Sequence, residues 1–413
     1  MFFGCSGRLF RIRSGANHCR GEPRVVMKKL FLVVFVFCLL GSTGVGATVQ
    51  HPRKRRHTAA AATPRAAPMV RVVAQSPRPA AAPASVVIQG GPWTEPTFAD
   101  STVGDMVDGE DLVIRRAAVE ALGPYNGSVV AVDPGTGRIL TMVNQRVALG
   151  TGFQPCSTIK VAVALAGLSE RAIQPANRFR LGGLRMDLTY ALAHSNNYYF
   201  ATLGAKLGFE KVSHYAHLFG YGERAGLNVA GEQPGSFPTA APRNGGVGML
   251  CSFGEEISQT PLQLAALMSA IANGGTLYYL QYPRDQVEAR DFVPLVKRKL
   301  EIGSLIPSVK PGMRGAVQFG TAHRAREDGP IAGKTGTCSE NQTHLGWFGS
   351  FNDTGQRKLV VVVLLTGGRP AIGPLAAGIA GDMYRRLGEQ NYFAASQPIT
   401  PATLISSQIC CAK

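Results

Sequence analysis

The sequence predicts an α+β fold: an antiparallel five-stranded sheet covered by helices on both faces, joined to an all-helical lobe. Three observations predict it. Five β-rich runs lie in two groups, two near residue 130 and three between 331 and 366. The long stretch between the groups reads mostly as helix. One run, Lys358-Leu-Val-Val-Val-Val-Leu-Leu365, is apolar at every position after its lysine, as a central strand covered on both faces would be. A sheet whose strands come first and last closes by pairing the two ends of the chain. The helices between are left to cover it and to form a lobe of their own.

In chain order, Val113 to Leu122 reads as a helix that stops at Gly123-Pro124. Ser128–Val132 and Arg138–Val143 form a hairpin around Asp133-Pro-Gly-Thr-Gly137. A short polar turn containing Pro155 then leads into Val161-Ala-Val-Ala-Leu-Ala-Gly-Leu168, an apolar run that reads as a buried helix. Residues 185–207 read as helical, with Ser195 and Asn197 in a turn between segments. Residues 209–219 and 261–273 are two more helices, the second closed by Asn273-Gly-Gly275. The strand candidates 331–337, 343–351 and 358–366 follow, separated by short polar turns, and Leu375 to Leu387 is a closing helix.

The chain has 413 residues and a formal net charge of +17, but the charge is unevenly placed. Residues 1–80 hold 14 Lys/Arg and one acidic residue, Glu22, which leaves only +4 on the rest. The basicity therefore belongs to the N-terminal region and argues against a nucleic-acid-binding body; a basic tail suits a solvated linker or an anionic lipid surface. Met27-Lys-Lys29, the 11-residue apolar run Leu30–Leu40 and the small residues ending at Ala47 have the pattern of an export signal. The run is shorter than the ~20 residues a spanning helix needs, although residues through Ala47 would lengthen it toward an anchor. Residues 1–47 are thus expected to be an export signal or membrane anchor, with 1–26 an over-long start before Met27. Residues 48–105 are expected to be a disordered, basic, Ala/Pro-rich linker, including Arg53-Lys-Arg-Arg56. A folded domain is expected over 106–395 and a loose tail over 396–413.

The chemistry starts at Gly152-Phe-Gln-Pro-Cys-Ser-Thr-Ile-Lys160. Ser157 and Lys160 share one face of a helix start. A lysine in a dry pocket can lose its charge and take the proton that makes serine nucleophilic. A helix N-terminus also favours developing negative charge. Alone, Ser-x-x-Lys is a common helix start. Two further motifs follow in order: Ser195-Asn196-Asn197 and Lys334-Thr335-Gly336-Thr337. Together the three are the signature of penicillin-binding proteins and class A β-lactamases. The chain resembles the penicillin-binding transpeptidase family over roughly residues 110 to 390. Gly127–Val143, Phe219-Gly-Tyr-Gly222, Glu232-Gln-Pro-Gly235, Ile257–Ala265 and His344–Phe351 also look like segments of that domain.

The resemblance implies the same fold and assigns roles. Ser157 would be the acylated nucleophile and Lys160 its base. Ser195 would relay a proton to the leaving amine, and Asn197 would hold Lys160 and the substrate amide. Lys334 would be a cation for a substrate carboxylate, with Thr335 and Thr337 adding hydroxyls across Gly336. The backbone N–H groups of Ser157 and Thr337 would form an oxyanion hole. Cys156 and Cys338 flank the first and third motifs, and similarity to class A carbapenemases implies a disulfide between them. Of eight cysteines, five lie beyond the leader, an odd number that leaves at least one unpaired within a monomer. His194, His344, Trp347 and Phe348 read as packing or hydrogen-bonding residues. No metal and no cofactor are expected.

The expected activity is a peptidoglycan D,D-transpeptidase acting on D-Ala-D-Ala stem peptides through a serine acyl-enzyme, with β-lactams as covalent inhibitors. The expected place is the periplasmic side of the inner membrane. D,D-carboxypeptidase and serine β-lactamase activity are the alternatives on this fold. The latter needs a deacylating base, and Glu223, Glu232 and Glu255 lie between the second and third motifs without a matching pattern. A β-lactam sensor or wall-binding module is the non-enzymatic alternative. No nucleic-acid partner is expected.

Overall fold

A computed structural model describes residues 93–394, apart from 175–178, 182–183, 327–328 and 353–356. The expected export signal, residues 48–92 of the expected linker and the expected tail lie outside the described residues. Among the described residues no helix is long and apolar enough to cross a membrane.

Helix α1 (Leu112–Leu122) is capped by Asp111, whose carboxylate accepts from the backbone N–H groups of Val113 and Ile114. Strands β1 (Gly127–Val132) and β2 (Ile139–Val143) form the opening hairpin. Helix α2 (Gln145–Ala148) and a 3₁₀ turn at Cys156–Thr158 lead into α3 (Ile159–Ser169). The helical lobe continues with the hairpin β3 (Phe179–Leu181) and β4 (Leu184–Met186), then α4 (Leu188–Ala193), α5 (Asn197–Leu207), α6 (Phe209–Leu218), α7 (Gly246–Phe253) and α8 (Pro261–Asn273). Next come β5 (Thr276–Tyr278), α9 (Gln286–Arg290), β6 (Val296–Lys299) and α10 (Ile306–Gln318). The chain returns to the main sheet with β7 (Ile331–Glu340), β8 (Thr343–Asn352) and β9 (Val360–Gly367), and closes with α11 (Gly373–Glu389).

The main sheet has five strands in the order β2-β1-β9-β8-β7, antiparallel throughout. The two ends of the chain pair directly, Gly127 opposite Leu365 through Val132 opposite Val360. Strand β9 is buried along its whole length, as its unbroken apolar run predicts. Its side chains alternate. Val361, Val363 and Leu365 join a core with α1 and α11, while Val360, Val362 and Leu364 join a larger core with α3, α5 and α8. Helix α8 is buried on every side except at its C-terminal Asn273; Thr260 and Gln263 close its N-terminus as a capping box.

Two expectations need correction. Residues 185 and 186 belong to a strand, not a helix: helix begins at Leu188, where the Asp187 side chain accepts from the Tyr190 N–H. Residues 93–105, expected to belong to the linker, instead pack on the folded body. Trp93 packs on His344 with ring centroids 4.2 Å apart, the Thr94 N–H donates to the Gln342 carbonyl, and Phe98 bridges to Tyr125. Composition averaged over the region hid these few contact-making residues. Asp105 anchors the segment from inside: its carboxylate accepts from the Asn144 and Gln145 N–H groups and pairs with Arg115 at 2.7 Å.

Arg115 also reaches Glu110 at 3.4 Å and donates to the Met142 carbonyl. Glu110 is buried and accepts from Thr141, from the Met142 N–H and from Tyr282. Removing the guanidinium leaves two carboxylates out of water with no cation. Arg115→Leu should therefore destabilise the domain by about 3 kcal/mol or more, read as a fall in Tm in thermal unfolding. A Tm unchanged from the wild type would show that these carboxylates are satisfied without Arg115.

Candidate active site

Three elements far apart in the chain each supply one part of the site. The first is the 3₁₀ turn that opens α3. Cys156 sits there with φ of 50°, and Ser157 follows at 9% exposure. Lys160 lies one turn on, on the same face, and its Nζ donates to Ser157 Oγ at 3.0 Å. The second part is the turn between α4 and α5. Ser195 has φ of 54°, a left-handed conformation that β-carbon crowding disfavours. That turn aims both its carbonyl and its hydroxyl at Lys160, with Nζ 2.8 Å from Ser195 O and 3.2 Å from Oγ. Asn197, the first residue of α5 rather than part of the turn, accepts from the same amine through Oδ1 at 2.5 Å.

The third part is β7. Alternation along the strand sends Lys334, Gly336 and Cys338 toward the helical lobe and Thr335 and Thr337 to the other face. Lys334 Nζ donates to Ser195 Oγ at 2.8 Å and to the Thr335 carbonyl at 2.9 Å. Gly336 has to be glycine, because a β-carbon there would lie 2.9 Å from the Pro155 carbonyl oxygen and 3.2 Å from Cys156 Cβ. Its absence lets the strand close on the turn that carries Ser157. On the far face, the Thr335 hydroxyl meets that of Thr321 at 2.6 Å, and Thr337 Oγ1 accepts from the Gly373 N–H. That bond uses a lone pair, so the Thr337 hydroxyl hydrogen stays available.

Cys156 and Cys338 are bridged, their Cα atoms 5.6 Å apart and 182 residues apart in sequence. Trp347, buried within β8, donates from Nε1 to the Gln154 carbonyl and fixes the approach to the turn. Phe348 is likewise buried in the sheet. His344 packs on Trp93 and bonds Ser339, and His194 packs between Tyr190 and Phe319. None of these four residues contributes to the Ser157–Lys160 network.

Both lysines are fully buried, and no carboxylate among the described residues pairs with either. Burial lowers the Lys160 amine to about 7. Phe200 and Phe253 lie within about 6 Å of its Nζ and keep water away. Burial, and then the neighbouring Lys160, pull Lys334 well below the usual lysine range. The arrangement therefore holds against a serine hydroxyl an amine that gives up its charge around pH 7. A second amine beside it lacks only an anion to hold its charge. The three carboxylates singled out between the motifs are engaged elsewhere. Glu223 pairs with Lys297 and Arg298, Glu232 accepts from the Ala225 and Gly226 N–H groups, and Glu255 accepts from Gln154 Nε2.

Sequence reading missed Thr321, Gln154 and the aromatic walls Phe200 and Phe253. Each acts through a fold contact and carries no motif of its own.

The disulfide closes a loop long enough to be worth as much as about 5 kcal/mol by restricting the unfolded chain. Non-reduced protein should resist alkylation at Cys156 and Cys338, and reduction should lower Tm. Free thiols at both positions in freshly purified, non-reduced protein would contradict the bridge.

The model of the penicillin binding protein transpeptidase domain matches residues 127–385. Stage V sporulation protein D of Bacillus subtilis is 26% identical over 310 residues, covering 64% of this chain and 48% of that protein. Peptidoglycan D,D-transpeptidase MrdA of Haemophilus influenzae is 24% identical over 353 residues, covering 64% of this chain and 54% of that protein. This chain thus spans about half the length of these curated relatives. Among solved structures, Pseudomonas aeruginosa PBP2 in complex with WCK 5153 superposes with a TM-score of 0.59 at 24% identity, covering 72% of this chain and 79% of that one. The D,D-transpeptidase domain of a peptidoglycan glycosyltransferase from Eggerthella lenta gives 0.55 at 20% identity, covering 68% and 82%. With the family match spanning more than half of its residues, the chain belongs to the penicillin-binding protein transpeptidase domain family.

Proposed function

We propose that this protein is a peptidoglycan D,D-transpeptidase that opens D-Ala-D-Ala stem peptides through a Ser157 acyl-enzyme and is acylated by penicillins. The observation that carries the reading is the buried Lys160 amine, 3.0 Å from Ser157 Oγ and free of any carboxylate among the described residues.

In the proposed reaction Lys160 takes the Ser157 proton as Oγ attacks the carbonyl between the two D-alanines. The oxyanion is received by the backbone N–H groups of Ser157 and Thr337, donors that typically matter by roughly 3–4 kcal/mol each. Ser195, within reach of both amines, passes the proton from Lys160 to the departing amine, so the C–N bond breaks as the amine is neutralised. Lys334 holds the terminal carboxylate, which supplies the counter-charge its buried ammonium lacks, while the Thr335 and Thr337 hydroxyls are engaged with Thr321 and the Gly373 N–H on the other face of the strand. Asn197 keeps the Lys160 amine oriented. An acceptor amine then attacks the ester, forms the cross-linking amide and returns a proton to Ser157.

Transfer is favoured over β-lactamase action because Glu223, Glu232 and Glu255 already have other partners. A β-lactam acyl-enzyme keeps its leaving group attached and persists unless water is activated. We place the protein outside the cytoplasmic membrane, held or delivered by the apolar Leu30–Leu40 segment. The Cys156–Cys338 bridge suits such an oxidising compartment.

Intact-mass measurement of protein mixed with a penicillin tests the proposal. A lasting adduct should form on the wild type and be absent in Ser157→Ala. Rapid loss of the adduct with accumulation of hydrolysed penicillin would establish a β-lactamase instead, and no adduct at all would leave a non-catalytic module. The acylation rate should rise with pH through about 7 and then level, because only the neutral Lys160 amine accepts a proton. Below that point it should fall about tenfold per pH unit. A flat profile between pH 5 and 9 would remove Lys160 from the role of base.

A further inference from the structure

On the two segments that lead into Ser195 and Thr321, three aromatic side chains stand together in solvent. Tyr190 is 50% and Phe319 54% exposed, and His194 between them is exposed as well. The Tyr190 and His194 ring centroids are 4.2 Å apart and those of His194 and Phe319 5.7 Å, each pair tilted by 44°. A contiguous exposed aromatic cluster marks a binding surface more often than isolated apolar residues do.

This cluster is held in place by tight packing. Helix α10 lies close on α4, and a β-carbon at Gly315 would come 2.7 Å from Phe319 Cζ and 3.2 Å from Ala193 Cβ. The Thr321 N–H donates to the Ala193 carbonyl, which joins the end of α10 to the end of α4. The rings are also tied to the chemistry through the chain. His194 is bonded to Ser195, whose hydroxyl meets both lysines, and Phe319 lies two residues before Thr321, which touches Thr335.

Resting on the transpeptidase reading above, we propose that Tyr190, His194 and Phe319 form a ledge that receives the acceptor amine before it attacks the acyl-enzyme. Microscopic reversibility sets the direction of approach. Aminolysis is acylation run backwards, so the incoming amine enters from the side by which the leaving amine departed, the side served by Ser195. Before attack the acceptor is an ammonium, and a cation is attracted to the faces of aromatic rings. On the ledge the ammonium first gives up one proton to solvent. As its nitrogen bonds the acyl carbon it passes a second proton through Ser195 to Lys160, the ester bond to Ser157 Oγ breaks, and Lys160 delivers that proton to the oxygen. The rings act as positioning residues for the acceptor and leave the donor alone.

The test separates the two steps. Penicillin acylation reports the donor site. Partition of a D-alanyl thioester donor between hydrolysis and transfer, titrated with a soluble stem tripeptide ending in a free diamino acid, reports the acceptor site. The double variant Tyr190→Leu/Phe319→Leu keeps apolar volume and removes the ring faces. It should acylate with penicillin at the wild-type rate, while the acceptor concentration for half-maximal transfer rises about tenfold or more. Unchanged partition with normal acylation would overturn the ledge. Loss of acylation in the variant would also overturn it, by assigning the rings to the donor side or to the scaffold. A wild type that takes no penicillin would sink the transpeptidase reading itself, and the ledge with it.

Discussion

Two lysine amines held out of water against one serine hydroxyl set the terms for the rest of this structure. Lys160 and Lys334 both contact Ser195 Oγ, and neither has an acidic partner among the described residues. An unpaired buried charge costs several kcal/mol, so such a site relaxes by giving up a proton. Lys160 does so near neutral pH, and its lone pair then faces Ser157. An acidic neighbour would have kept the amine protonated and made it useless as a base.

Such an arrangement does not hold itself together, because it spends burial on polar groups that stabilise little. The surrounding scaffold supplies the rigidity. Gly336 lets β7 approach the turn that carries Ser157 closely, the Cys156–Cys338 bridge ties the two, and Trp347 holds the Gln154 carbonyl from the sheet. The left-handed backbone at Cys156 and at Ser195 marks two points where local geometry yields to the site. Lys334 remains the unbalanced member. Its charge is disfavoured in the free protein and would be restored by an arriving anion.

The sheet makes this convergence possible by joining the ends of the chain. Pairing of β1 with β9 leaves β7 at the edge, where its Lys-Thr-Gly segment faces the lobe built from the intervening helices. The segment from Trp93 to Asp111 then runs along the body and is pinned by the buried Asp105–Arg115–Glu110 cluster.

By itself the sequence determined the fold class and picked out Ser157, Lys160, Ser195, Asn197 and Lys334, side chains that the fold brings together. Apolar runs such as Val360–Gly367 read as covered strands because burial on both faces demands apolar side chains at every position. The spacing of Ser157 and Lys160 was legible because helical geometry is local. Other features depended on contacts that no local pattern encodes. Helix α10 carries Pro307, Pro311 and two glycines, a composition that argues against helix, yet it forms because those glycines let it lie against α4. The Thr321–Thr335 contact, the aromatic walls around Lys160 and the rings beside Ser195 belong to elements separated by tens of residues or more. Above all, the neutral state of Lys160 was decided by tertiary structure, because a lysine's charge depends on how much water reaches its amine, and only the closed fold takes that water away.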